Sequence, residues 1–218
     1  MQCGKPAKAA IGSQLEKLSP EALETSARRL LAPILRQQGE QFARSGHDEQ
    51  ALNKFKQAQA SGLDLNPAIE ANRLTSSASK LQGILNALQL RIEEATAKFT
   101  QAKQYDPELE LEPEAEAKRI AAPVLVEMGQ GLAKELKIEE AIAKFTQAKQ
   151  YDPKLELEPE AEAKRIAAPV LIDQGKALLE KEQVLPNDVQ QALEAYQTAQ
   201  VYDPALTITA RVTEYSFH

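Results

Sequence analysis

The sequence predicts an all-α protein, an α-solenoid of about four stacked helix-turn-helix units. Three observations predict it. Residues 139–171 read EEAIAKFTQAKQYDPKLELEPEAEAKRIAAPVL, and residues 93–125 repeat them forty-six positions earlier with two changes, Thr96 for Ile142 and Glu108 for Lys154. Repetition at a fixed period marks an array in which each unit buries its apolar face on the next. Within the block, small and large residues recur at fixed offsets: Gly129, then Ala141 twelve residues on, Phe145, Ala148 and Pro153. Composition is the third observation. Apolar residues make up 43% of the chain, but aromatics only 5% and Trp is absent, a mixture that favours helices meeting through small side chains.

The offsets have a packing logic. Two antiparallel helices approach closely only where a side chain is missing, so Gly129 and Ala141 are expected to face each other. Phe145 fills the space one turn on, and Ala148 leaves room for the following unit. Pro153 ends the second helix because it has no N–H and clashes with the preceding turn. Leu125, Leu132 and Leu136 read as the core stripe of a first helix, and Ala141, Ile142, Phe145 and Ala148 as that of a second.

In chain order, residues 1–19 read as a partly disordered N-terminal segment, with Ser13 and Glu16 as a short capped turn. Ser19-Pro20-Glu21 is a helix start, with a Ser cap, Pro at the first helical position and an acid in the first turn. The first unit spans about 20–62, its helices marked by Leu30, Leu31, Leu35, Gly39 and Phe42, then by Ala51, Phe55 and Ala58. Asn66-Pro67 opens a second unit (66–107) whose first helix has drifted, although Gly83 keeps its place before Ala95, Phe99, Ala102 and Pro107. Glu112-Pro113 and Glu158-Pro159 open the third (113–153) and fourth (159–204). The fourth carries Gly175, Ala192, Tyr196, Ala199 and Pro204, with a longer turn around Leu185-Pro186-Asn187-Asp188. Pro33, Pro123 and Pro169 lie inside helical patterns, which predicts a kink or break near Arg29, Arg119 and Arg165. Residues 205–218 alternate apolar and polar and read as an extended tail, a cap on the array or the beginning of another domain.

The small, small, large, small and terminating pattern over residues 20–204 resembles the tetratricopeptide repeat. The departure is the period, since ordinary repeats of that family recur every ~34 residues. The surplus, LELEPEAEAKRIAA, reads as an N-terminal extension of each first helix, with Glu114–Lys118 and Glu160–Lys164 at the favourable i,i+4 spacing. Such elongated repeats are similar to those of bacterial, especially cyanobacterial, multi-domain proteins. The resemblance implies a non-enzymatic scaffold that binds a protein or peptide partner in a concave groove lined by the first helices. Mapped by resemblance, the groove positions are Arg36, Lys80, Ile84, Leu88, Val126, Gln130, Lys134, Ile172 and Lys176. Ile84, Leu88, Val126 and Ile172 would be the apolar anchors, and the basic residues would favour an acidic or phosphorylated rim. Glu40, Pro123 and Glu127 stand where the family's carboxylate clamp needs basic or amide side chains, which excludes a chaperone-tail adaptor.

Composition narrows the alternatives. A net charge of −6 argues against nucleic acid as partner, because phosphate binding needs clustered Lys and Arg. No apolar run is long enough to span a bilayer and no signal peptide is legible, so the expectation is a soluble cytoplasmic protein without a membrane partner. The lone Cys3 excludes an internal disulfide framework; so near the start it reads as a free thiol or the remnant of a lipidated terminus. Two histidines, His47 and His218, form no catalytic constellation, metal-ligand spacing such as HExxH or CxxC is absent, and Gly129-Gln130-Gly131 falls inside a helix rather than after a strand. No catalytic residue, cofactor or metal is expected. The acidic runs around Glu110–Glu116 and Glu156–Glu162 are interleaved with Lys and Arg and read as solvated helix faces. Two other readings stand beside the scaffold: a regulatory or spacer segment of a larger signalling enzyme, and a self-assembling module whose matching repeats exchange between chains as a homo-oligomer.

Overall fold

The computed structural model describes residues 19–206, and their regular structure is entirely helical. Eight α-helices follow one another among these residues: α1 (Pro20–Arg44), α2 (Asp48–Ala60), α3 (Pro67–Leu88), α4 (Ile92–Tyr105), α5 (Pro113–Lys134), α6 (Ile138–Tyr151), α7 (Pro159–Leu179) and α8 (Pro186–Tyr202). Neighbours in sequence pack on one another, the arrangement of an all-α helical repeat. By contacts the described residues divide into two compact units, 19–86 with 93–114, and 87–92 with 115–206.

In the first unit the Ser19 side chain caps α1, accepting from the Ala22 N–H at 3.3 Å. Asn66 Oδ1 caps α3, accepting from Ala68 and Ile69 at 3.1 and 3.2 Å. Gly39 and Gly83 lie against the rings of Phe55 and Phe99, both fully buried. Ala43, Ala51, Phe55 and Ala71 form a buried cluster, with Leu52 and Leu74 packed on it. Asp48, at the start of α2, ties three helices together: it accepts from Thr75 Oγ1 of α3 at 3.1 Å and from the Tyr105 hydroxyl of α4. The bond to the Asp48 carboxylate holds the Tyr105 phenol above its usual range, because ionising it would remove the donated proton.

The second unit repeats the scheme with apolar chemistry. Gly129 lies against Phe145 and Gly175 against Tyr196. Ala133, Ile138, Ala141, Phe145, Ala163 and Ala167 form one buried cluster, with Val126, Ile142, Ile166 and Tyr202 packed on it. Ile138, Ala167 and Tyr202 occupy the sites that Asp48, Thr75 and Tyr105 hold in the first unit, so the same junction is a hydrogen-bonded triad in one and an apolar contact in the other. Asp188 caps α8 by accepting from the Leu185 N–H at 2.9 Å and pairs with Lys181 Nζ at 2.7 Å. The Lys181 ammonium and that backbone donor hold the Asp188 carboxyl below the usual range.

Several expectations need correction. Helices α1, α5 and α7 run without interruption through Pro33, Pro123 and Pro169. The prolines are exposed, as are Arg29, Arg119 and Arg165, whose carbonyls lose a donor, so no break is forced on the helix. The three atoms nearest a Cβ built on Gly129 belong to the Phe145 ring, which closes over the glycine. Leu109–Glu112 lies outside α5, and the extension of that helix starts at Pro113. A side-chain donor at one repeated position holds these linkers: Gln59 Nε2 donates to the Leu65 carbonyl at 3.1 Å, Lys103 Nζ to Leu111 at 2.9 Å and Lys149 Nζ to Leu157 at 2.7 Å. Leu136 is a cap residue and no part of the helical stripe. Its φ is +61°, and the Lys137 N–H closes onto the Leu132 carbonyl at 2.9 Å, a Schellman ending that the first unit makes with Gly46 instead. Pro186 opens α8 rather than lengthening the turn before it. The short turn at Ser13–Glu16, Cys3, His218 and the tail beyond Leu206 lie outside the described residues.

Candidate functional site

Helix α3 mixes polar side chains into its buried side and leaves leucines exposed. Ordinarily the buried stripe of a surface helix is apolar and the opposite face polar. In α3 the buried positions include Thr75, Ser76 and Ser79, while Leu81, Leu85 and Leu88 are exposed. Hydrogen bonds make the polar interior tolerable. Thr75 donates to Asp48, and Ser76 Oγ donates to the Ala102 carbonyl at 2.9 Å. With Gly83 set against Phe99, the inward side of α3 is fixed, and Leu81 and Leu85, at i and i+4, share the other side. Leu81 is 58% exposed and Leu85 51%.

The chain supplies its own control. Where α3 has Leu81, Leu85 and Leu88, α1 has Gln37, Gln41 and Arg44, α5 has Glu127, Gly131 and Lys134, and α7 has Asp173 and Ala177 with Glu180 at its C-cap. Only the second repeat puts three large apolar side chains there. Lys80 borders the leucines and is exposed, and Arg73 lies two turns earlier, paired with Glu70 at 3.1 Å.

Of the positions assigned to the groove, Arg36, Lys80 and Ile84 belong to the first unit and Leu88, Val126, Gln130, Lys134, Ile172 and Lys176 to the second. Arg36 is engaged by Glu40 at 3.2 Å and Glu70 at 3.4 Å, and Lys176 by Asp173 at 3.6 Å. Lys80, Leu88 and Lys134 are exposed; Ile84, Gln130 and Ile172 are half-buried. Val126 is packed on the Phe145 cluster, so it serves the core rather than a free anchor. Leu81 and Leu85, both exposed, are not among the positions assigned by resemblance.

An open cleft of about 650 Å³ lies in the second unit, lined by Ile142, Thr146, Glu158, Lys164 and Tyr202 among others. Its charges are already engaged: Lys164 pairs with Glu160 and sits 5.8 Å over the Tyr202 ring, and Glu158 accepts from Lys149 at 2.7 Å. His47 is exposed in the turn before α2, its ring edge-on to Phe42 at 6.1 Å. Among the described residues no three of His, Cys, Asp and Glu are grouped to hold a metal ion, and no helix is long and apolar enough to cross a membrane. No protein-family model matches the chain, and no curated protein is similar enough to count as a relative.

Proposed function

We propose that this chain is a non-enzymatic helical-repeat scaffold, tetratricopeptide-like in its spacing, that binds a protein or peptide partner on the outer face of α3. The supporting observation is the pair of exposed leucines on that helix. Exposed apolar side chains rimmed by charge mark interaction sites, and Leu81 and Leu85 are exposed where the sister repeats carry polar or small residues. The Gly83–Phe99 contact closes the helix pair, and about half of the Leu81 and Leu85 surface stays open to solvent. Apolar anchors of this size fill pockets or seat an amphipathic segment. The bordering Lys80 favours an acidic rim on the partner.

The test is a pull-down with the intact chain as bait, beside a Leu81→Glu/Leu85→Glu variant. Both side chains are exposed, so the variant should keep the helical circular-dichroism signal and melting temperature while losing the retained partner. Equal retention by a folded variant would move the site off α3.

A further inference from the structure

The first and last helices of the described residues carry the two halves of a contact that the chain already makes internally. In the second unit α6 packs on α7 through Ile138, Ala141, Ile142 and Phe145 on one side and Ala163, Ile166 and Ala167 on the other. In the first unit α2 packs on α3 in the same register, through Leu52 and Phe55 against Ala71 and Leu74.

Carrying that register outward is informative. On α1 the positions matching Ala163, Ile166, Ala167 and Val170 are Ala27, Leu30, Leu31 and Ile34. All four are exposed, Leu30 by 71%, whereas Ala163 and Ala167 are fully buried and Ile166 is half-buried. On α8 the positions matching Ile138 and Ile142 are Val189 and Leu193. Ile138 is 7% exposed beneath its neighbours, while Val189 is 50% and Leu193 49% exposed. None of these six positions carries a charge. Helix α1 presents the receiving half of the repeat contact and α8 the inserting half.

We propose that α8 of one copy docks on α1 of a second copy, Val189 and Leu193 seating on Ala27, Leu30, Leu31 and Ile34 as Ile138 and Ile142 seat on α7. The occupant of each face is therefore a second copy of this chain. Because the two surfaces differ, the contact is heterologous and propagates head to tail unless rotation closes it into a ring.

Sedimentation of the full chain over a micromolar to millimolar series tests this. The weight-average mass should rise with concentration beyond that of a dimer. Leu30→Glu disables the receiving face and Leu193→Glu the inserting face, and each variant alone should stay monomeric with an unchanged helical signal; Ile34→Glu is a second choice for α1. Mixed in equal amounts, the two variants retain one intact face each and should form a dimer that grows no further. A wild-type chain monomeric throughout, either pure variant still associating, or a mixture that stays monomeric would overturn the proposal. The first result would assign both faces to other segments of the polypeptide.

Discussion

Gly129 and Gly131 sit two residues apart in α5, and substitution by alanine should have opposite signs. A Cβ on Gly129 would stand 2.7 Å from the Phe145 ring, whereas one on Gly131 meets nothing within 4 Å. Ala gains about 1 kcal/mol over Gly from helix propensity at either site. At Gly129 this is outweighed by overpacking of about 1–3 kcal/mol against a buried ring. Gly129→Ala should therefore lower the unfolding free energy measured in urea and Gly131→Ala raise it by about 0.5–1 kcal/mol; the same sign for both would contradict the ring contact. The offsets in the sequence already picked out Gly129 and Phe145 as important. They did not reveal that the two touch, because spacing along a helix fixes where a Cα lies, and a phenyl ring reaches several ångströms further. The exposure of Leu81 and Leu85 is hidden from the sequence for a related reason. Register with the other repeats points to Lys80, Ile84 and Leu88, and the burial of Thr75, Ser76 and Ser79 depends on partners in neighbouring helices that spacing does not reveal.

The helices themselves were largely legible. Ser19-Pro20, Asn66-Pro67 and Pro113 start α1, α3 and α5, since a cap and a proline satisfy or dispense with the orphan donors of the first turn. Interior prolines do not break these helices. Pro123 removes one hydrogen bond from α5, yet the helix persists because Ala121, Ala122 and Leu125 are buried beside it and hold it by packing. Pro123→Ala should then be stabilising. The helix-interior gain of about 3 kcal/mol is offset by about 1 kcal/mol from a looser unfolded chain, leaving about 2 kcal/mol. Thermal denaturation checks this, and an unchanged or lowered midpoint would mean that the native backbone at Pro123 is one alanine does not favour. The Leu109–Glu112 linker was misjudged because its good helix formers lose to a tertiary bond, the Lys103 ammonium reaching the Leu111 carbonyl.

For the whole molecule, near-identical repeats make function readable by difference. A feature shared by all four repeats, such as the glycine set against an aromatic ring, serves the stack; a feature in one repeat alone serves something else. The repeat frame was evident from the sequence, because a 33-residue near-identity leaves little freedom in register. The candidate surface was not, since exposure of a leucine is decided by every helix around it. The most direct measurement places a photo-crosslinking side chain at position 85 and, in separate proteins, at the matching positions 41, 131 and 177, all exposed, followed by irradiation in cell lysate. A binding face on α3 predicts covalent adducts from position 85 and background labelling from the other three. Equal adducts from all four positions, or none from position 85, would contradict it.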